Sequence, residues 1–217
     1  DIIFLCNPNN PTGLLVEKPL LEKILKRCQE LDILMAVDEC FLDFVPSPEK
    51  YTLKEYLETY DNLFLLKAFT KRYAMAGVRL GYGLCGNKGL LRKMEGVCQP
   101  WNVSSMAQAA GLAALQEREY VEKGRQVTFQ ELAYLKEELA ALGYPVYPSQ
   151  ANYVFFTGPA DLYEKLEQKK ILIRDCSNFT GLSKGYYRVA VKKHEENQQL
   201  VRALKEIDRT KVENVIL

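Results

Sequence analysis

The sequence predicts an α/β fold, a mostly parallel sheet layered with helices, followed by a smaller α+β unit. Three observations carry that reading. Apolar runs at residues 2–6, 33–37, 63–66 and 80–84 have the length of buried strands. Leu20, Leu21, Ile24, Leu25, Cys28 and Leu31 recur at helical spacing between the first two runs, which makes the strand, helix, strand unit of a parallel sheet. Beyond residue 143 shorter strands and helices follow one another, the pattern of a second, smaller unit.

The elements follow in order. The first run enters Asn7-Pro8-Asn9-Asn10-Pro11-Thr12-Gly13, where two prolines and a glycine exclude a continuous helix or strand and predict a shaped loop. The run at 33–37 closes on Asp38-Glu39. Thr70-Lys71 and Gly77 lie between the third and fourth strands. From 103 to 142 the chain is rich in Ala, Leu, Glu and Gln and reads as helix, with Gly111 and Gly124 as places to bend or divide it and Gly143 as its stop. Strand 152–156, helix 161–168, strand 171–174, strand 186–191 and helix 195–207 complete the chain. No Pro/Gly/Ser-rich linker marks a boundary. It is placed within the helical stretch, giving domains 1–118 and 119–217.

Composition narrows the functional classes. Of 217 residues, 47% are hydrophobic and 26% charged, which is ordinary for a folded chain and excludes a disordered or collagen-like one. A net charge of +1 supplies no global field for nucleic acid or an anionic membrane, so neither is expected as a partner and any anion site must be local. No apolar run approaches the roughly 18 residues that span a bilayer, and no signal pattern opens the chain, so a cytoplasmic location is expected. The six cysteines are scattered and accompanied by a single histidine, His194, which predicts reduced thiols and no structural metal. Asp1 leads directly into an apolar strand, so the chain reads as a piece of a longer protein.

Several residues carry chemistry. Asp38 closes an apolar strand, and in an open parallel sheet the carboxyl ends of the strands border the ligand crevice, where a carboxylate holds a cation. Lys71 follows the third strand, and a desolvated lysine in a cleft loses its proton and attacks carbonyls. Arg79 lies between Gly77 and Gly81, small residues that let the chain approach a bound group. Arg174 and Arg188 sit in or beside two strands of the smaller unit, and guanidinium forks suit carboxylate or phosphate. Each residue taken alone is also compatible with a structural ion pair, and Lys71 with a solvated lysine.

Together these strings resemble the fold-type I pyridoxal-phosphate enzymes of the aspartate aminotransferase superfamily. The match rests on the segment from Asn7 to Gly13, on Asp38-Glu39, on Thr70-Lys71 and on Gly77-Val78-Arg79-Leu80-Gly81-Tyr82, in the family's order and spacing. The resemblance implies a partial large domain of that fold plus the small C-terminal domain, with pyridoxal 5′-phosphate (PLP) as cofactor. It implies that Lys71 bonds the cofactor covalently, that Asp38 pairs with its ring nitrogen and that Asn10 contacts its 3′-oxygen. It further implies that Thr70 and Arg79 hold its phosphate.

Within the superfamily the chain is most similar to the histidinol-phosphate aminotransferase group, and more narrowly to its threonine-phosphate decarboxylase branch. The narrower resemblance rests on residues 38–44, 99–103, 151–153, 171–176 and 185–191. It implies that Arg188 grips a substrate carboxylate, Arg174 a substrate phosphate, and that Asn152 supports substrate or cofactor. The activity implied for the intact protein is decarboxylation of L-threonine O-3-phosphate, a step of cobalamin synthesis. The alternatives are histidinol-phosphate aminotransferase and a truncated, non-catalytic fragment. A small phosphorylated amino acid is the implied substrate and a homodimer the implied assembly.

Two positions depart from the aminotransferase pattern. Phe41 stands where most members carry a Tyr that donates to the 3′-oxygen, and Phe has no such donor. Ala68 replaces a Ser that contacts the phosphate, removing a charge-assisted bond worth roughly 1.5–3 kcal/mol. The other notable side chains are given ordinary roles. His194 reads as a surface or capping residue, Trp101 and Tyr153 either line the site or pack in a core, and Tyr186 and Tyr187 point to opposite strand faces.

Overall fold

The computed structural model of the chain describes residues 1–215, which divide into two compact units. The first holds residues 1–10 and 14–125, and the second gathers Pro11–Gly13 with the chain from Gln126 onward.

In the first unit β1 (Ile2–Cys6), α1 (Lys18–Glu30) and β2 (Leu34–Asp38) form the strand, helix, strand unit read from the sequence, with β1 and β2 parallel. Pro19 sits in the first turn of α1, where its missing N–H costs nothing. Leu21, Leu25 and Cys28 are the buried stripe of that helix, and they pack with Met35, Val37, Leu63 and Leu65 of the sheet. Next come β3 (Leu63–Ala68), the single turn α2 (Phe69–Arg72) and β4 (Gly81–Cys85). The sheet order is β1-β2-β3-β4, with β3 parallel to β2 and β4 antiparallel to β3, so the sheet is mostly parallel as predicted. Its register places Cys6 beside Asp38 and Asp38 beside Leu66, so three strand ends meet at one edge.

Helix α3 (Lys88–Val97) precedes the helical stretch, which begins with α4 (Ser105–Ala114); the Asn87 and Ser104 side chains cap the two. Helix α3 is absent from the sequence reading although Leu90, Leu91, Met94 and Val97 recur at helical spacing; Gly89 and Gly96 lower its helix propensity. Neither Gly111 nor Gly124 divides the stretch; the break falls between Ala114 and Arg118, where α5 (Arg118–Ala141) begins. Gly111 serves close packing instead, since a Cβ there would lie 2.5 Å from Leu80 Cδ2. The division between the two units falls inside α5.

The second unit adds β5 (Tyr153–Thr157), α6 (Leu162–Gln168), β6 (Arg174–Asp175), β7 (Tyr186–Ala190) and α7 (His194–Val215). Its antiparallel sheet has the order β5-β7-β6. Val154, Phe156, Tyr187 and Val189 face Leu135 and Leu139 of α5 and Leu200 and Leu204 of α7 in one core. Gly143 ends α5 with φ +80°, the left-handed stop read from sequence. The strand predicted at 171–174 shrinks to Arg174–Asp175: Lys170 turns the chain at φ +60°, and Leu172 is exposed while Ile173 is buried, an extended approach rather than a paired strand. His194 opens α7 in an exposed position, with Nδ1 2.9 Å from Oε1 of the buried Glu131. Asn197 Nδ2 donates to the other Glu131 oxygen at 2.8 Å.

Candidate active site

The first unit builds its polar centre at the carboxyl ends of β1, β2 and β3. The backbone N–H of Asn7 donates to Asp38 C=O at 2.9 Å, extending the parallel pairing one step past β1. Asn7 is fully buried, and its Oδ1 accepts from Val16 N at 2.8 Å, which folds the proline loop back on itself across a cis Asn7–Pro8 bond. Asn10 ends the part of that loop belonging to this unit, and the Cys6 thiol donates to Pro8 C=O at 3.2 Å.

Asp38 is half-buried, with Oδ1 accepting from Cys40 N at 2.9 Å. Burial first, then the adjacent Asp38 carboxylate, push the Cys40 thiol up to about 12. Burial and the Asp38 charge raise the Cys6 thiol as well. Two neutral thiols therefore flank the carboxylate at neutral pH. The adjacent Glu39 turns the other way, into the core, where it pairs with Lys67 and accepts from Thr52 Oγ1.

Lys71 is exposed on α2, its Nζ 5.5 Å from the centroid of the Phe41 ring. Thr70 precedes it, half-buried in the same turn, and Ala68 is the N-cap residue of that turn, with no side-chain oxygen to offer. Arg79 adopts φ +59°, and its exposed guanidinium donates to Ala76 C=O at 2.9 Å. The first unit thus brings Asp38 together with Cys6 and Cys40, and Lys71 together with Phe41.

In the second unit Arg174 and Arg188 are register partners on β6 and β7, so both guanidinium groups leave the same face of the sheet. Arg188 lies over the Tyr153 ring at 5.0 Å from its centroid, and Arg174 lies over Phe179 at 5.8 Å while donating to Asn178 Oδ1 at 2.9 Å. Asn152 directly precedes β5; its C=O accepts from Val191 N at 2.9 Å, and its Oδ1 is buried without a donor. Tyr153 is thus buried against an arginine, whereas Trp101 is 93% exposed and packs in no core. Tyr187 enters the core while Tyr186 stacks on Phe155 on the other face.

Sequence reading missed the two thiols beside Asp38. Cys40 is only two residues beyond Asp38, whereas Cys6 is far off in sequence and is brought beside Asp38 by the strand register. Among the described residues no group of His, Cys, Asp and Glu is arranged to hold a metal, and no helix is long and apolar enough to cross a membrane.

The profile of the family described as aminotransferase class I and II matches residues 1–204. The chain belongs to that family. Threonine-phosphate decarboxylase of Salmonella typhimurium is 37% identical over 211 residues, covering 95% of this chain and 57% of that protein. Histidinol-phosphate aminotransferase of Methanococcus aeolicus is 33% identical over 212 residues, covering 95% of this chain and 56% of that protein. The crystal structure of the histidinol-phosphate aminotransferase from Clostridium acetobutylicum superimposes with a TM-score of 0.91 at 32% identity, over 97% of this chain and 64% of that one. The chain therefore spans a little over half the length of the curated relatives it matches.

Proposed function

We propose that the intact protein is a PLP-dependent decarboxylase that converts L-threonine O-3-phosphate to 1-amino-2-propanol O-2-phosphate, acting as a cytoplasmic homodimer in cobalamin synthesis. The observation that carries the reading is the pairing of Arg174 with Arg188 on adjacent strands. Two guanidinium groups on one sheet face suit a substrate with two anionic ends, a carboxylate and a phosphate.

Pyridoxal 5′-phosphate is the cofactor of the family, and the donor set of the first unit fits it. Asp38 ends a parallel strand with Oδ1 engaged by Cys40, and Lys71 and Arg79 present their cationic groups at the surface. When bound, the cofactor supplies an electron sink for the pair left by a bond breaking at the substrate Cα. Asp38 would keep a positive ring nitrogen paired, Lys71 Nζ would hold the cofactor and later carry a proton to Cα, and Asn10 would donate to the 3′-oxygen. Thr70 and Arg79 would bind the phosphate. Phe41 lends the lysine amine an aromatic face and no hydroxyl.

Arg188 would grip the substrate carboxylate and Arg174 its phosphate. The Tyr153 ring beneath Arg188 limits the freedom of that guanidinium, which favours one direction for the carboxylate. Held over Tyr153, Arg188 would aim the carboxylate and so would favour loss of CO2 over loss of the Cα proton. The Asn152 Oδ1, buried without a donor, suits an N–H or O–H of a bound group.

The runner-up is histidinol-phosphate aminotransferase, favoured by the TM-score of 0.91 to a structure of that enzyme. Trapping CO2 from L-threonine O-3-phosphate with the PLP-loaded full-length protein separates the two. Release of CO2 supports the decarboxylase. No CO2, with the amino group of histidinol phosphate passed to 2-oxoglutarate, supports the aminotransferase. PLP absorbance of the 217-residue chain after dialysis, repeated with Lys71→Ala, tests whether this length alone holds the cofactor or is a non-catalytic fragment.

A further inference from the structure

A cavity of about 400 Å³ opens in the second unit where residues 171–173 approach β6 beside the end of β7. Among the described residues it is lined by four cationic side chains, Lys170, Arg174, Arg188 and Lys192, and by one carboxylate, Glu196, which holds Lys192 Nζ at 2.9 Å. We propose that Lys170 joins Arg174 in binding the phosphate of a phosphorylated substrate. The proposal rests on the reading that Arg174 takes the substrate phosphate.

Charge balance calls for a second cation. One guanidinium matches a carboxylate, but a phosphate monoester carries about −1.5 to −2 at pH 7, more than Arg174 alone neutralises. Of the two lysines in the cavity, Lys192 spends its charge on Glu196, which points to Lys170. The backbone around Lys170 asks for a different residue. Its N–H donates to Glu167 C=O at 2.8 Å and that of Ile171 to Leu166 C=O at 2.9 Å, the pair of bonds that closes a helix through a left-handed residue, usually glycine. A lysine at φ +60° bears strain that glycine would not, which points to a use for its side chain. From Lys170 to Arg174 the chain spans at most about 14 Å, a gap that two long side chains converging on one ligand bridge. Leu172 and Arg174 are exposed while Ile173 between them is buried, so this stretch turns its even-numbered residues away from the core.

Inorganic phosphate titrated into the PLP-loaded full-length protein, read by calorimetry at fixed ionic strength, tests the assignment. The measurement does not depend on which phosphorylated substrate is turned over, so failure of the decarboxylase reading leaves it standing. Lys170→Gln, which removes the charge and keeps a long side chain, should weaken phosphate about tenfold, the low end for one charge-assisted contact. Lys170→Arg should restore affinity to within about twofold of the unaltered protein, since the charge returns. Lys169→Gln removes a neighbouring charge that pairs with Glu206, outside the cavity lining, and should leave affinity unchanged. A loss in Lys169→Gln equal to that in Lys170→Gln would reveal a diffuse positive field and overturn the proposal. Weakening by Arg174→Ala but not by Lys170→Gln would also overturn it, with the Arg174 reading left in place. Affinity untouched by either change would remove that reading and the proposal with it.

Discussion

Glu39 and Lys67 form an ion pair of 2.9 Å beneath the sheet, with 1% of the Glu39 side chain exposed and 15% of that of Lys67. Thr52 Oγ1 donates to both Glu39 oxygens at 2.9 Å and Leu53 N to one at 3.3 Å, so the carboxylate is saturated with donors. Truncating the lysine leaves a buried charge without its counter-ion. Lys67→Met should therefore destabilise the chain by about 3 kcal/mol, the lower end for a broken buried pair because Lys67 keeps some water. A urea unfolding curve measures it. The double change Glu39→Leu with Lys67→Met should cost less than the sum of the two single changes, and strict additivity would show that the two charges do not act together.

Gly13 makes a second demand on sequence. It sits at φ +71°, and a Cβ built there would lie 1.9 Å from Ser149 Oγ, whose hydroxyl donates to Tyr153 C=O at 2.6 Å. Ser149 is fully buried and cannot swing into solvent. Gly13→Ala therefore combines left-handed strain with overpacking, each about 1–3 kcal/mol, and should lower the thermal midpoint clearly. Adding Ser149→Gly removes the clash but leaves the strain, so the double variant should recover part of the loss. Full recovery would assign the whole cost to the clash, and no recovery would assign it to the backbone.

What the sequence makes legible follows the strength of local pattern. The strand at 2–6 is read without error because a run of five apolar residues ends at a proline loop, and α1 because its apolar stripe repeats over three turns. The residues that resemble the family's cofactor site are also local strings. Three features are not local. Helix α3 is short, with Gly89 and Gly96 weakening its propensity, and the run at 171–174 looks like a strand although only its last residue pairs. The third, the meeting of Cys6 with Asp38, depends on the register between β1 and β2, which no short window of sequence contains.

The paired arginines predict a division of labour in recognition. Arg174→Ala should lower kcat/KM for threonine phosphate by roughly 10- to 100-fold, the loss of one charge-assisted contact of about 1.5–3 kcal/mol, while affecting unphosphorylated threonine little. Arg188→Ala should depress activity on both, because both carry the carboxylate. Arg188→Lys should recover only part, since an ammonium lacks the planar fork that rests on Tyr153. Equal losses on both substrates in Arg174→Ala would remove the phosphate from its assignment.

Alkaline pH probes the Cys40 environment through folding. The thiol is raised from 9.0 to about 12 in the native chain by burial and Asp38, so above pH 9 the unfolded chain gives up a proton that the native chain retains. Its contribution to stability is fully present below pH 9, and it is lost as pH rises through the native value. Tyr56, whose phenol donates to Glu22 Oε1 at 2.6 Å and is likewise pushed up to about 12, acts in the same direction. Urea midpoints measured at steps between pH 8 and 10.5 should therefore fall, and fall less steeply in Cys40→Ala, with the slope due to Tyr56 retained. Asp38→Asn should flatten the same part of the curve by removing one cause of the shift. Parallel curves for the unaltered chain and Cys40→Ala would mean that the thiol ionises alike in the folded and unfolded states, and that neither burial nor Asp38 holds its proton.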